Sequence, residues 1–258
     1  MTDEQFYLLD SVGVIIVRSA VPIEQVAYIN ERIDRTLAGA VVSKFPILEM
    51  DDVFLDMMTH SWILAACNRL LGNRFRFDHA FGLQQPPSRP NLHGGPQACQ
   101  ASCFYHASAP TSPPLVGRIS VGIALTNQSS ALGGFAYIPG SHKSSSLMHG
   151  SRVLTEILKN DFDHECLSIP SLAPGDICMF PDCLVHGTAP WRGPYTRRAL
   201  YYMYSPGYMA WRPYQEIEKY LALAKTPLQR RLLRPPYVAS FIEQATIVGD
   251  NQWREPNA

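Results

Sequence analysis

The stretch "GDICMFPDCLVHGTAPWRGPYTRRALYY", residues 175–202, decides the fold. It opens on a Gly-Asp turn and runs through short segments rich in β-branched and aromatic residues. It breaks at Pro190, Gly193 and Pro194 and resumes as an extended run at Arg197. Side chains alternate along a strand, so His186 and Thr188 share one face, and a short connection brings Arg197 back on the next strand. A histidine, a hydroxyl and an arginine thus converge at strand ends.

Similar runs lie on either side: "RFRFDHAFGLQQ" (74–85), "GRISVGIALTN" (117–127), "GGFAYIPGSH" (133–142), "HECLSIPSL" (164–172) and "RRALYYMYSPGYM" (197–209). Each is expected to form a strand. Helical spacing marks "SAVPIEQVAYINERIDRTLAG", "WILAACNRLLG", "RVLTEILKN" and "PYQEIEKYLALAK". The pattern predicts a mainly β protein with flanking helices, its antiparallel core closed as a jelly roll of cupin type. One domain is expected over 1–258, with N-terminal helices in 1–73, the jelly-roll core in about 74–207 and a C-terminal helical segment in 208–258.

The composition is that of an ordinary globular chain, with 46% hydrophobic and 17% charged residues and a formal net charge of zero. That balance argues against a nucleic-acid or membrane surface. The acidic start "MTDEQFYLLD" is unlike a signal peptide, and no apolar run reaches the roughly 18 residues of a membrane span, so a cytoplasmic protein is expected. Six cysteines without CxxC spacing read mostly as small buried hydrophobes.

"GGFAYIPGSHK", followed by Gly175-Asp176, Phe180, "HGT" at 186–188 and an arginine eleven residues after His186, resembles the phytanoyl-CoA dioxygenase family. The resemblance spans residues 93 to 198. It implies a double-stranded β-helix that binds Fe(II) and 2-oxoglutarate through a His-x-Asp motif and a distal histidine. His93 and His186 become the metal ligands, Arg197 the partner of the 2-oxoglutarate tail and Thr188 an assisting hydroxyl. Arg198 takes the place of Arg197 if the strand slips by one residue.

"NLHGGP", residues 91–96, departs from that motif, because Gly95 stands where the aspartate is expected. Two histidines and bidentate 2-oxoglutarate fill four of six octahedral positions. Without the acid, a chloride can share the remaining two with O2, and glycine removes both bulk and negative charge. His-x-Gly resembles the halogenase-type members of the family, some of which chlorinate a free nucleotide, 2'-deoxyadenosine monophosphate.

Each feature also has a plainer reading. Gly94-Gly95 suits a turn, and His93 a loop. Asp78 or Asp182 could supply a displaced carboxylate, which would make the chain a hydroxylase. An inactive cofactor-binding jelly roll is a further alternative. His142 fits a structural turn after Pro139-Gly140. No carrier-protein domain is expected, so the substrate is read as a free, anionic small molecule. Arg118, Tyr137 and Arg192 are its candidate contacts, with Lys143 and Arg152 as further cations near the mouth.

Overall fold

Helices dominate the start of the chain: α1 (Asp3–Val12), α2 (Ile23–Leu37), α3 (Asp52–Met58) and α4 (Ser61–Leu71), with strands β1 (Ile15–Val17) and β2 (Lys44–Phe45) between them. Strands follow as β3 (Arg76–Gln85), β4 (Asn91–His93), β5 (Tyr105–His106), β6 (Leu115–Val116), β7 (Ile119–Ala124) and β8 (Gly134–Tyr137). After α5 (Arg152–Lys159) come β9 (Ile177–Pro181), β10 (His186–Ala189) and β11 (Arg197–Ser205), then α6 (Gln215–Glu218), α7 (Pro227–Leu232) and the hairpin β12 (Thr246–Val248) and β13 (Gln252–Arg254). The computed structural model describes residues 1–40, 42–85, 91–93, 104–106, 114–144, 152–159, 162–237, 246–248 and 252–254.

Two sheets form the core. The larger has the order β1-β9-β7-β11-β3-β2 and the smaller β4-β10-β8, and they do not close into a barrel. Period-two alternation sorts the larger sheet into two faces. Ile119, Val121 and Ile123 of β7, with Leu200, Tyr202 and Tyr204 of β11, join Val26, Ile29, Phe54, Ile63 and Leu64 of the helices in one apolar cluster. Burying each such side chain contributes about 1.5–3 kcal/mol, so this helix-covered face anchors the sheet. The Tyr202 and Tyr204 hydroxyls donate to the Phe54 and Met58 carbonyls at 2.9 and 2.7 Å, which satisfies the polar ends of two otherwise apolar residues. The opposite face, carrying Phe180, Cys178, Ala124 and Tyr201, turns toward Phe135 and Tyr137 of the smaller sheet. The outer side of the smaller sheet packs Ala136, Val185 and Ala189 against Leu154 and Ile157 of α5.

The architecture is the mainly β jelly roll with flanking helices that the sequence predicts, with local differences. "HECLSIPSL" forms no strand; it makes only single bridges, Ser168 to Tyr137 and Leu172 to Gln128. Pro170 sits between them and lacks the N–H a continuous ladder needs. "PYQEIEKYLALAK" gives only the one-turn α6 and a 3-10 turn over Lys219–Ala222. The C-terminal portion, expected to be helical, also carries the β12-β13 hairpin. Helix α1 was not anticipated. Its start is specified by a capping box in which Thr2 and Gln5 satisfy each other's backbone N–H, and it ends at Gly13 with φ 92°. None of the described helices is long and apolar enough to cross a membrane.

His142 closes the turn after Gly140. Its buried ring meets the Tyr105 ring edge-on at 4.9 Å, and Nε2 donates to the Asp10 carbonyl at 3.0 Å. Desolvation pushes its pKa down from 6.5 to about 4. The unfolded chain therefore takes up a proton before the folded one does. The contribution is complete above the unfolded value and is lost as pH falls from 6.5 to about 4. We expect stability measured by denaturant unfolding to drop by about 3 kcal/mol across this window from this residue. His142→Gln, which keeps the donor to Asp10, should flatten that slope; an unchanged slope would reject the assignment.

Candidate active site

Strand β10 is the middle strand of the smaller sheet, and its register sets His186 directly opposite His93 on one side and Tyr137 on the other. Directly opposed positions on antiparallel strands lie about 4.5–5.5 Å apart between Cβ atoms, a separation a shared metal ion can span. The His186 ring is buried against Phe180, with centroids 4.7 Å apart, and Phe135 lies 6.4 Å away. A carbonyl can only accept, so the 2.7 Å contact to the Leu184 oxygen places the ring proton on Nδ1. Nε2 then carries the lone pair, the tautomer in which imidazole ligates metals. Thr188, two residues on, lines the same cavity as His186.

Arg197 opens β11 and is 3% exposed. Its Nε donates to Gln128 Oε1 at 2.8 Å, one terminal nitrogen to Gln85 Oε1 at 3.2 Å and the other to the Tyr201 hydroxyl at 3.3 Å. All three partners are neutral. Among the described residues no carboxylate reaches this guanidinium, and a buried charge without a counter-ion costs several kcal/mol. Gln128 is itself held, accepting from Phe135 N and donating to the Phe135 and Pro170 carbonyls. Gly134 makes room for the clamp: a Cβ there would lie 2.5 Å from Gln128 Oε1 and 2.8 Å from Arg197 Nε, at a φ of +102° that favours glycine. Arg198 faces the other way and pairs with Asp34 on α2 at 2.5 Å.

These elements border a cavity of about 950 Å³ between the sheets. Phe81, Leu83, Phe135, Phe180, Tyr201 and Met203 are its apolar walls, and Trp211, Glu216 and Tyr220, from the segment after β11, bound it further. Asp182, in the turn between β9 and β10, lines it too, paired with Arg118 and accepting from Ser120 Oγ at 2.6 Å. Burial alone would raise the Asp182 carboxyl pKa. The charge of Arg118, with the hydrogen bonds from Arg118 and Ser120, outweighs burial and holds it at about 2. Asp182 is therefore an ionised carboxylate on the same cavity wall as His186. Among the described residues, no three His, Cys, Asp or Glu side chains gather to hold a metal.

The remaining candidates divide by position. Arg118 lines the cavity with its charge engaged by Asp182 and its guanidinium 4.5 Å from the Trp211 ring centre. Tyr137 packs in the inner core, stacked on Phe135, and is not among the cavity-lining residues. Arg192 is exposed and does not line the cavity. Lys143 and Arg152 are paired with Asp10 and Glu156. Asp78 is buried behind the cavity. It occupies the bulge where β3 slips against β11, accepts from Trp211 N, contacts His79 Nδ1 at 2.7 Å and lies 3.5 Å from Arg76. Gly95 lies outside the described residues. Gln85 and Gln128 belong to no sequence motif, and Tyr201 reads in the sequence only as a strand-face aromatic. The one trace of the glutamines was the Gln84-Gln85 pair, whose polar amides end an otherwise β-favouring run.

The two-sheet architecture recurs in HygX from Streptomyces hygroscopicus with nickel and 2-oxoglutarate bound. That structure superposes with a TM-score of 0.72 at 21% identity over 82% of this chain and 90% of that one. HygX with nickel, 2-oxoglutarate and hygromycin B bound gives 0.69 at 22% identity over the same shares. The non-heme alpha ketoglutarate dependent epimerase SnoN from nogalamycin biosynthesis gives 0.59 at 19% identity, over 82% of this chain and 85% of that one. No curated protein sequence matches the chain significantly. The model of the family described as phytanoyl-CoA dioxygenase (PhyH) matches residues 9–199. A match over most of the length, on the strands that carry His93, His186 and Arg197, means that the chain belongs to the phytanoyl-CoA dioxygenase family.

Proposed function

We propose that the protein is an Fe(II)- and 2-oxoglutarate-dependent halogenase that chlorinates an aliphatic C–H of a free, anionic small molecule held in the cavity. The observation that carries the co-substrate is Arg197, a buried guanidinium with only neutral partners. Its planar fork matches one carboxylate of a dicarboxylic acid, and Thr188 would add a hydroxyl. His93 and His186 would hold the iron, His186 through Nε2. Iron with 2-oxoglutarate and O2 supplies the oxidising power to remove a hydrogen atom from the substrate. Phe180 and Phe135, at 4.7 and 6.4 Å, would hold the His186 ring in place.

Chlorination rests on Gly95. Between Asp78 and Glu156 the sequence contains no aspartate or glutamate, so neither strand β4 nor its flanks can return a carboxylate to the place Gly95 leaves. A halide then meets neither bulk nor negative charge from that side. HygX, a protein of similar fold, holds hygromycin B together with nickel and 2-oxoglutarate, which supports a small-molecule substrate in the corresponding space. A second reading, hydroxylation, is favoured by Asp182, an ionised carboxylate lining the same cavity as His186. As a metal ligand it would take the position chloride needs.

Arg197→Gln is expected to weaken 2-oxoglutarate binding about a hundredfold by calorimetry and to leave metal binding intact, whereas Arg198→Gln should stay within about threefold of the parent. The reverse order would move the anchor to Arg198. With iron, 2-oxoglutarate, O2 and chloride, a panel of free anionic metabolites that includes nucleoside monophosphates should yield a product with the chlorine isotope pattern, and Gly95→Asp should abolish it. Chlorination retained in Gly95→Asp would sink the halide site. Asp182→Asn separates the two readings: iron affinity holds if the acid lies outside the metal's ligands and falls at least about tenfold if it is one of them.

A further inference from the structure

Among the described residues, four cationic side chains of lysine and arginine line the cavity, and three are already answered by carboxylates. Arg118 pairs with Asp182, Arg212 lies 3.7 Å from Glu216, and Lys219 lies 2.5 Å from Glu49. Lys44 on β2 is the exception; among the described residues no carboxylate reaches it. Residues 79–155 contain no acid, and the carboxylates that line the cavity, Asp182 and Glu216, are engaged by Arg118 and Arg212. Lys44 is exposed at the rim, and its ammonium stands 4.7 Å from the centre of the Phe81 ring.

The inner face of the large sheet gives this lysine a definite place. Phe81 on β3 is the register partner of Tyr201 on β11, and their rings stack at 5.3 Å. The Tyr201 hydroxyl accepts from Arg197 at 3.3 Å. His79 stacks on the other neighbour position of Phe81 at 6.4 Å, its ring held by Asp78. A wall of packed rings thus runs from a cation without a carboxylate at the rim, Lys44, to the buried cation at the inner end, Arg197. Their roles differ in kind, since Arg197 is buried and fork-shaped while Lys44 is a point charge in contact with water.

We infer that Lys44 is the substrate-binding cation of this cavity, and that it receives the single anionic group of a substrate whose apolar body lies against Phe81, Leu83 and Met203. This rests on the reading that the cavity between the sheets is the substrate site and that Arg197 holds the co-substrate. An anion at the rim fixes one end of the substrate, so the opposite end is the one presented toward His186. It also reassigns the anionic anchor from Arg118, whose charge Asp182 already engages, and from Arg192, which lies outside the cavity.

The test uses the full-length protein loaded with Ni(II) and saturating 2-oxoglutarate, so that Arg197 is occupied. Naphthalene-2-carboxylate, its neutral carboxamide and propane-1,3-diol are titrated at up to millimolar concentration by calorimetry. The carboxylate should bind at least about tenfold more tightly than the carboxamide, and the diol not at all, as expected for a charge-assisted contact beside an apolar wall. Lys44→Met keeps the side-chain length and should erase the preference for the carboxylate while leaving carboxamide affinity unchanged. Arg118→Met serves as the competing variant. Equal binding of carboxylate and carboxamide in the parent, no binding of either, a preference that survives Lys44→Met, or one lost only in Arg118→Met would each overturn the inference. 2-Oxoglutarate binding measured separately in the parent and in Lys44→Met keeps the two readings apart. Its absence in the parent would reject the co-substrate site, and its loss only in Lys44→Met would reject the separation of roles between the two cations.

Discussion

Arg197 is the constraint around which the inner half of the protein is arranged. A guanidinium buried between two sheets has to be stabilised from several directions, and the chain does so with neutral amides, Gln128 and Gln85, and with the Tyr201 hydroxyl. Both glutamines are themselves tied down. Gln128 clamps Phe135 and Pro170, and Gln85 donates to the Ala189 carbonyl at the end of β10. The strand that carries His186 is thereby coupled to the strand that carries Arg197. Had an acid filled the place of either glutamine, the charge would be neutralised internally. Gly134 is a consequence of the same arrangement, since any side chain there would occupy the clamp.

The two faces of the larger sheet divide stability from chemistry. Its outer face is apolar along β7 and β11 and is covered by α2, α3 and α4, so burial there holds the strands rigid. The inner face packs Phe180, Cys178, Ala124 and Tyr201 toward the smaller sheet and also carries Arg197. The bulge at Asp78 marks this division on β3. It lets one residue leave the ladder, where its carboxylate orients His79, meets Arg76 and receives the Trp211 amide. The segment after β11 is docked by that amide and by Arg76, whose guanidinium donates to the Met209 and Arg234 carbonyls, and it becomes a wall of the cavity.

Electrostatics in the cavity is a matter of which charges are already matched. Asp182 and Arg118 cancel each other beside His186, and Ser120 completes the carboxylate's hydrogen bonds. Among the described residues Lys44 at the rim has no carboxylate partner, and Arg197, beside Tyr201 and outside the cavity lining, has three neutral hydrogen-bond partners. Residues 79–155 contain no acid, so the paired cations of this part of the chain take their carboxylates from other segments, Arg118 from Asp182 and Lys143 from Asp10.

The sequence alone determined what depends on local spacing. Strand alternation put His186 and Thr188 on one face, the Gly-rich run 133–142 and the arginine eleven residues after His186 marked the family, and the glycine at 95 is legible without any coordinates. Most short, strongly β-favouring runs form strands because periodicity and composition act within a few residues, whereas 164–172, interrupted by Pro170, makes only isolated bridges. Tertiary structure decided everything that joins distant segments. Whether Arg197 or Arg198 points inward follows from the register of β11 against β3 and β7, and only the folded chain shows Arg198 taken by Asp34 on a helix more than 160 residues earlier. Arg118 looked as available for a substrate as any other cation until the β9-β10 turn brought Asp182 to it. Lys44 carried no signal at all, because its importance comes from pairing β2 with β3 at the rim of a cavity that exists only once the sheets face each other. The physical reason is the same in each case: spacing fixes which face a side chain leaves, whereas register and packing fix the charge it meets there.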